Sequence, residues 1–383
     1  MAKTSFLPNP AKIKVFGMGG GGCNAVTRMV REEIQGVEFI AMNTDAQALA
    51  ITEAPIRVQL GEKVTRGLGA GGDHNVGTKA AEESREEIKE LVAGSDMVFV
   101  TCGMGGGTGT GSISVVAEEA KKSGALTIAV VTKPFSFEGT HRAAVANAGI
   151  RNLVDKVDTL ITLPNDKLLE ICDAKTGVEA AFKLADDVLT HGVQAISEVI
   201  TRPGVINLDF ADVKSIMHNA GPAWMSIGRG SGKNRSVDAA RAALESPLLD
   251  VEIEGSKGVL FNIVGGDDLT LSEVNDAADV IRQAVDPDAV IIFGVAKDPA
   301  MGADVRITLI TTGFVTPSGV EEEKMQTAMA VQASNLKKNE EELDIPPFLR
   351  NPLFSRHNKA LSPAERAKAA SAVQPASRGF WHR

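Results

Sequence analysis

The first half of the chain alternates short, almost continuously apolar runs with longer segments in which apolar residues recur at helical spacing. The apolar runs are 12–17, 37–42, 96–103, 125–132 and 158–163, and the helical segments are 24–34, 77–92, 110–122 and 140–153. Short runs without polar alternation are typical of strands that are buried on both faces of a parallel sheet. This half is therefore predicted to be a Rossmann-like α/β domain with helices covering its sheet.

A longer helical pattern follows, over about 177–200, and ends at Arg202, Pro203 and Gly204. Proline and glycine stop a helix, so we interpret this segment as a connector helix between two domains. Four further apolar runs, near 223–230, 257–266, 289–296 and 303–313, predict the four-stranded sheet of a second, smaller α/β domain. Thr270 and Glu273 have the spacing of a capping box, which predicts a helix start after the second of these strands.

The hydrophobic pattern fades after residue 316. Residues 317–342 are charged and poor in apolar side chains, which is typical of a flexible linker. Apolar residues return around two prolines in 343–354, a composition expected of a short motif that folds against a partner's groove. The predicted organisation is an N-terminal extension (1–11), a first domain (12–176), a connector helix (177–202), a second domain (203–316), a linker (317–342), a peptide (343–354) and a basic tail (355–383).

Composition narrows the classes of function. A chain of 383 residues that is 43% hydrophobic can bury two ordinary cores. A formal net charge of −9, 4% aromatic residues and no tyrosine argue against nucleic-acid binding. No apolar run approaches the roughly 20 residues that span a bilayer, and the N-terminus lacks the apolar core of a signal peptide, so we expect a soluble, cytoplasmic protein. Its three cysteines are scattered and predict neither disulfides nor a metal site.

Two glycine-rich segments each follow a predicted strand and precede a predicted helix, a layout that holds phosphate on backbone N–H groups. In the first segment Gly17, Gly19 and Gly22 satisfy GxGxxG, which alone is a weak signal. An NAD-dependent oxidoreductase stays open as an alternative at this point. It is favoured by Asp45, which follows the second strand, where an acidic ribose contact would lie.

The second segment indicates phosphate binding more strongly. Six of the nine residues from 103 to 111 are glycine. Glycine costs about 0.5–1 kcal/mol of conformational entropy per site relative to alanine, so this density implies that the backbone approaches a ligand closely. Thr108 and Thr110 add hydroxyl donors for phosphate oxygens, and tight packing alone does not easily account for the pattern.

GGGTGTG at 105–111 is identified as the signature motif of the tubulin and FtsZ superfamily. Segments that resemble the bacterial cell-division FtsZ family in the same order are NTDAQAL (43–49), GLGAGG (67–72), TKPFSFEG (132–139), LITLPNDKLL (160–169) and NLDFADV (207–213). LDIPPFLR at 343–350 is similar to the C-terminal peptide of that family. The resemblance covers about 12–316 and 343–350, which is most of the chain.

This resemblance implies that the first domain binds GTP or GDP, with Mg²⁺ on the phosphates. It implies that Glu138 and Arg142 contact the ribose and nearby phosphates, and that Phe182 stacks on guanine while Asp186 accepts its N1 and N2 protons. The implied nucleotide site comprises Gly19, Gly20, Gly21, Gly22, Asn24, Asn43, Asp45, Ala70, Gly71, Gly103, Gly105, Gly106, Gly107, Thr108, Gly109, Thr110, Thr132, Glu138, Arg142, Asn165, Phe182 and Asp186. From spacing alone, Glu138 and Arg142 could be a surface ion pair and Phe182 a core residue.

The phosphate loops contain no carboxylate or lysine well placed to activate water. Asp209 and Asp212 lie three residues apart at a predicted helix start, so both project from one face. Aspartates in a first helical turn often serve only as caps. The resemblance implies a catalytic role, in which this loop, with Asn207, enters the GTP site of the next subunit and polarises the attacking water. Such a head-to-tail contact does not close, so it generates a filament of identical subunits.

The resemblance also implies partners for the tail. Division proteins and membrane tethers are expected to bind Leu343, Asp344, Ile345, Pro346, Phe348 and Leu349, which would place the filament at the mid-cell division site. A tubulin-like filament protein with a role other than division remains an alternative. The basic tail could favour filament bundling or acidic lipid, or be only a solvated end.

Overall fold

The computed structural model describes residues 11–170, 177–201, 209–248 and 256–313. The strands in this part of the chain are β1 Ile13–Met18, β2 Val37–Asn43, β3 Ile56–Gln59, β4 Met97–Gly103, β5 Leu126–Lys133, β6 Thr159–Pro164, β7 Gly221–Gly230, β8 Gly258–Gly265, β9 Val290–Lys297 and β10 Val305–Thr312. The α-helices are α1 Gly19–Arg31, α2 Ala46–Ala50, α3 Glu62–Thr65, α4 His74–Glu83, α5 Arg85–Val92, α6 Thr108–Lys122, α7 Thr140–Val154, α8 Asn165–Leu169, α9 Val178–Thr201, α10 Phe210–Met217, α11 Arg235–Leu244 and α12 Leu271–Ala284.

The strands hydrogen-bond in the order β3-β2-β1-β4-β5-β6-β7-β10-β8-β9. Every pairing from β3 to β7 is parallel, whereas β10 is antiparallel to both β7 and β8. Only three residue pairs join β6 to β7, so β7 to β10 form a four-stranded sheet that meets the parallel sheet at one edge. The predicted α/β fold, with a parallel sheet and a second four-stranded sheet, is confirmed.

The parallel sheet is buried on both faces because its strands carry apolar side chains in both directions. In β1, Ile13 and Val15 belong to a core that also contains residues of α1 and α9. Phe16 and Met18 point to the opposite core, which is covered by α4, α5, α6 and α7. A third core lies between α11, α12 and the second sheet. Helix α9, the predicted connector helix, begins at Val178, one residue after the predicted start, and is described as far as Thr201.

Several element boundaries differ from the predicted ones. The helix predicted over 77–92 is two helices, which meet at Ser84. At this break the Ser84 hydroxyl accepts a hydrogen bond from Gly61 N at 3.1 Å, which joins it to the segment before α3. The helices predicted from residues 24 and 110 begin earlier, at Gly19 and Thr108, because their glycines form the first helical turns. In the described part of the chain, no helix has both the length and the hydrophobicity needed to cross a membrane.

Candidate nucleotide site

A cleft of about 410 Å³ opens at the carboxyl ends of β1, β4 and β5. The predicted site residues that line it are Gly19, Gly20, Gly21, Asn24, Gly103, Gly106, Gly107, Thr108, Gly109, Thr132, Glu138, Arg142, Asn165, Phe182 and Asp186. Parallel α/β sheets bind ligands in crevices outside the carboxyl ends of their strands. The fold therefore brings most of the predicted site together in the expected place.

Two helices begin at this cleft, α1 directly after β1 and α6 after the loop that follows β4. Neither helix has a side chain that caps its first N–H groups, and neither carries an acidic residue in its first turn. The first N–H groups of a helix have no partner within it and form the positive end of its dipole. Two uncapped helix starts at one cleft thus make a site for an anion such as a phosphate chain.

The glycines at these helix starts have two different reasons for lacking a side chain. A Cβ at Gly19, where φ is +67°, would lie 2.8 Å from Gly109 N, and a Cβ at Gly107 would lie 2.9 Å from the Cβ of Ala70. Packing between loops therefore explains part of the glycine density. At Gly20 and Gly106 no described atom lies within 4 Å of the Cβ position, so glycine there leaves space in the cleft.

The threonines of the second glycine segment hold the loop in shape. Thr108 Oγ1 lies 2.5 Å from Thr44 Oγ1, which ties the start of α6 to the end of β2. Thr110 is buried, and its Oγ1 accepts a hydrogen bond from Gly105 N at 2.9 Å. The Thr110 hydroxyl therefore bonds within the loop, and Thr110 does not line the cleft.

A carboxylate and a guanidinium stand at the cleft mouth near the start of α7. Glu138 Oε1 accepts a hydrogen bond from Phe135 N at 2.9 Å, and its other oxygen pairs with the guanidinium of Arg142. The ion pair expected from their spacing is present, and both side chains also line the cleft. The two interpretations of Glu138 and Arg142 are therefore compatible.

Three aromatic rings cluster beside this pair. Phe182 on α9 packs edge-on against Phe135, with ring centroids 5.3 Å apart, and against Phe137 at 6.4 Å. Phe135 is buried, whereas Phe182 is 41% exposed. Phe182 is therefore not a core residue, because its ring lines the cleft and is partly exposed there.

Two polar side chains that line the cleft, Asp186 and Asn165, are partly and fully buried. Burial, with a smaller contribution from the neighbouring Asp187 carboxylate, raises the pKa of Asp186 to about 7 against the opposing effect of Arg28. Asn165 is 5% exposed, and its Oδ1 has no hydrogen-bond partner in the described residues. A buried acceptor without a partner is costly, so this edge of the cleft fits a ligand that presents N–H donors, as guanine does.

Other predicted site residues lie behind the cleft or beyond it. Gly22, Asn43, Asp45, Ala70, Gly71, Gly105 and Thr110 do not line it. Asp45 caps α2 by accepting hydrogen bonds from Gln47 N and Ala48 N, which gives its carboxylate a structural task and removes the observation that favoured an NAD site. Asn43 is buried, and its Oδ1 accepts a hydrogen bond from Asp45 N at 3.2 Å. Asn207 and the tail residues predicted to bind partners (Leu343, Asp344, Ile345, Pro346, Phe348 and Leu349) lie outside the described residues.

The sequence interpretation missed the apolar part of the lining, which is Met18, Met104, Pro134, Ala185 and Leu189. Each lies within three residues of a predicted site residue, but an apolar side chain carries no chemical signal that separates cleft from core. Asp209 and Asp212, at the start of α10, are exposed and do not line the cleft of their own chain. No group of His, Cys, Asp and Glu in the described part of the chain is arranged to hold a metal ion.

Comparison with known proteins agrees with this geometry. Residues 12–173 match the model of the Tubulin/FtsZ family, GTPase domain, and residues 221–315 match that of the FtsZ family, C-terminal domain. An empty FtsZ dimer from M. jannaschii is 48% identical, with a TM-score of 0.77 over 79% of this chain and 88% of that chain. CetZ2 from Haloferax volcanii, in a GTPγS-bound protofilament, is 17% identical and shares the fold, with a TM-score of 0.68 over 85% of this chain and 99% of that chain.

Proposed function

Because the chain belongs to the tubulin/FtsZ family and is a GTPase of that family, we propose that its copies assemble head to tail and hydrolyse GTP at each contact between subunits. The GTP phosphates bind the uncapped starts of α1 and α6. The ribose lies near Glu138 and Arg142, and guanine stacks on Phe182 with its N–H groups directed at Asp186 and Asn165. Magnesium bound with the phosphates would neutralise charge on the phosphate oxygens.

The observation that carries this proposal is the separation of Asp209 and Asp212 from the cleft of their own chain. In the described residues, that cleft contains Glu138 and Asp186 as its carboxylates. The first is paired with Arg142, and the second is assigned to the base. Exposed carboxylates at the start of α10 complete the site when they enter the cleft of a neighbouring copy, where they orient and polarise the attacking water.

Exposed apolar side chains around the cleft support a docked copy. Leu68 is 83% exposed and Phe137 is 60% exposed. Leu68 belongs to the loop that hydrogen-bonds to the end of β2 beside Thr108, and Phe137 packs against Phe182. Large apolar residues at the rim of a polar cleft are typical of a surface that is covered in an assembly. The M. jannaschii FtsZ relative forms a dimer, and the CetZ2 structure is a protofilament.

The test is the rate of GTP hydrolysis per subunit, measured against protein concentration with magnesium present. A rate near zero below a threshold concentration that rises above it supports a site shared between subunits. A rate per subunit that is the same at all concentrations would place the whole active site in one chain and contradict the proposed role of Asp209 and Asp212.

The match of residues 221–315 to the FtsZ C-terminal domain supports a role in bacterial cell division. In this proposal the filament is cytoplasmic and lies at mid-cell, where residues 343–349 bind division proteins and membrane tethers. Deleting 343–350 should spare GTP hydrolysis and abolish recruitment of a fluorescent fusion to the division site. A fusion of the full chain that never concentrates at mid-cell would favour a filament with another role.

A further inference from the structure

The end of α10 is fastened to the parallel sheet around one buried carboxylate, that of Asp158. Asp158 precedes β6 and is 2% exposed. Its Oδ2 accepts a hydrogen bond from Thr127 N at 2.9 Å, and its Oδ1 accepts one from Asn219 N at 3.3 Å. The exposed imidazole of His218 places Nδ1 2.9 Å from the same Oδ1. This carboxylate therefore joins the beginning of β5 to the two residues that follow α10.

Two threonine hydroxyls hold the last turn of α10 beside this carboxylate. Thr159 Oγ1, in β6, donates a hydrogen bond to Met217 O at 2.5 Å. Thr312 Oγ1, in β10, donates one to Ile216 O at 3.2 Å. The last carbonyl groups of a helix have no partner within it, so these bonds fix the end of α10 to both sheets.

The position of Asp209 and Asp212 follows from how α10 is held, which is through this attachment and through Val213, Ile216 and Met217 in the core. Helix α10 has eight residues, and isolated helices shorter than about 12–15 residues are marginally stable. At the start of α10 the two aspartates are exposed, and each caps the backbone N–H of the other. The helix is about 12 Å long, so a tilt of about 5° at its fastened end moves its first residue by about 1 Å.

We infer that Asp158 is a positioning residue for GTP hydrolysis, which holds α10 so that Asp209 and Asp212 meet the neighbouring subunit's GTP correctly. A misplacement of about 1 Å can reduce a rate by about 10²-fold. Asp158 lies before β6, at the amino edge of the sheet, whereas the nucleotide cleft lies at the carboxyl edge. Its effect is therefore on turnover and not on nucleotide affinity. The inference rests on the proposed function, because Asp158 acts through the aspartates of α10.

The test compares Asp158→Asn with Asp155→Asn, which removes an exposed carboxylate three residues away. The asparagine keeps the side-chain volume but replaces one carboxylate oxygen with an NH₂ group. That group cannot accept the hydrogen bond that the oxygen accepted. We expect Asp158→Asn to bind GTP normally below the assembly threshold and to form filaments. In those filaments its kcat should fall about tenfold or more with KM unchanged, while Asp155→Asn matches the wild type.

His218→Ala provides a second variant, since its half-exposed side chain can be removed without opening the core. It should also lower kcat, by a smaller factor than Asp158→Asn does. Titrating Asp158→Asn into wild-type protein should reduce turnover in proportion to the variant fraction, because each variant subunit inactivates only the contact that its own α10 enters. A steeper, quadratic loss would show that its cleft is damaged as well and would overturn the inference.

The inference and the proposed function fail in different ways. If Asp212→Ala turns over GTP normally, the proposed catalytic contact is wrong, whatever Asp158 does. If Asp212→Ala is slow while folded His218→Ala and Asp158→Asn filaments both keep the kcat of Asp155→Asn, only the positioning role of Asp158 is wrong. Should Asp158→Asn not fold, His218→Ala alone decides the question.

Discussion

Asp209 and Asp212 cap each other at the start of α10. Asp212 N donates a hydrogen bond to Asp209 Oδ1 at 2.9 Å, and Asp209 N donates one to Asp212 Oδ2 at 3.3 Å. The structure thus shows the two carboxylates as caps, and the catalytic role of the same side chains stays a prediction. This capping box holds the two carboxylates in a fixed relation through one oxygen of each, Asp209 Oδ1 and Asp212 Oδ2.

Replacing Asp212 with alanine should separate hydrolysis from binding. We expect Asp212→Ala to bind GTP and to assemble, but to hydrolyse GTP at least about 10²-fold more slowly, because a carboxylate that orients water is lost. The variant also loses the hydrogen bond that Asp212 Oδ2 accepts from Asp209 N, which should lower the free energy of unfolding by about 0.5–1.5 kcal/mol, while Asp209 still caps the helix. Phosphate release and light scattering measure the two activities in one sample.

Asp238→Ala is the matched control for that variant, since Asp238 is an exposed carboxylate in the first turn of α11. It should leave turnover unchanged. Wild-type turnover in Asp212→Ala filaments would exclude the catalytic role.

Nucleotide affinity should depend on pH through Asp186. Burial raises its pKa to about 7, so the free protein carries a neutral carboxyl below that pH and a carboxylate above it. Guanine N–H groups require the carboxylate as acceptor, so binding must release the proton at low pH. We therefore expect GDP affinity to be full at pH 8 and to fall about tenfold between pH 8 and pH 6.

Titration calorimetry of GDP below the assembly threshold measures this dependence. Asp186→Asn should bind GDP more weakly at pH 8 and lose the slope with pH. Glu86→Gln, which removes an exposed carboxylate on α5, should keep both. A wild-type affinity that is constant from pH 6 to pH 8 would contradict the assignment of Asp186 to the base.

The sequence predicted the elements that have a clear local pattern of apolar residues. Long apolar runs located β1, β2, β4, β5 and β6 to within one residue, and helical periodicity located the start of α9 to within one residue. The short elements β3, α2, α3 and α8 were missed, because segments of four or five residues have no clear period and form through contacts with the rest of the fold. The break at Ser84 was also missed, and there the Ser84 hydroxyl accepts a hydrogen bond from Gly61 N, a contact that local periodicity does not indicate.

In the candidate site, too, some features could be predicted from the sequence and others require the fold. Glycine spacing and a family motif located the residues that surround the cleft. They did not distinguish a glycine that leaves space for a ligand from one that packs against another loop. The difference between Gly106 and Gly107 requires the positions of Ala70 and the backbone at Asp73. The raised pKa of Asp186 also requires the fold, because it comes from burial and from the neighbouring Asp187.

Assembly should depend on the apolar rim of the cleft. We expect Leu68→Ser to raise the threshold concentration for filament formation, because it removes about 2 kcal/mol of apolar burial at each contact. GDP affinity below the threshold should stay within twofold of wild type, since Leu68 does not line the cleft. Lys89→Ser, an exposed change on α5, is the control. An unchanged threshold for Leu68→Ser would remove this loop from the contact.

Alanine substitutions at the adjacent glycines Gly106 and Gly107 should have different effects on the melting temperature. At Gly107 a methyl group would lie 2.9 Å from the Ala70 Cβ and 3.0 Å from Asp73 N, so Gly107→Ala should lower the melting temperature without nucleotide. At Gly106 the methyl group meets no described atom within 4 Å, and the backbone φ is not positive. Gly106→Ala should keep or slightly raise that melting temperature, because alanine reduces the entropy of the unfolded chain.

The same pair tests what the cleft holds. The methyl group of Gly106→Ala projects into space that a phosphate chain would occupy, so GDP and GTP should bind at least about tenfold more weakly to a fully folded protein. Thermal unfolding with and without GDP measures both quantities. If Gly106→Ala is stable and binds GDP as the wild type does, phosphates do not approach this part of the loop, and the glycines there serve packing alone.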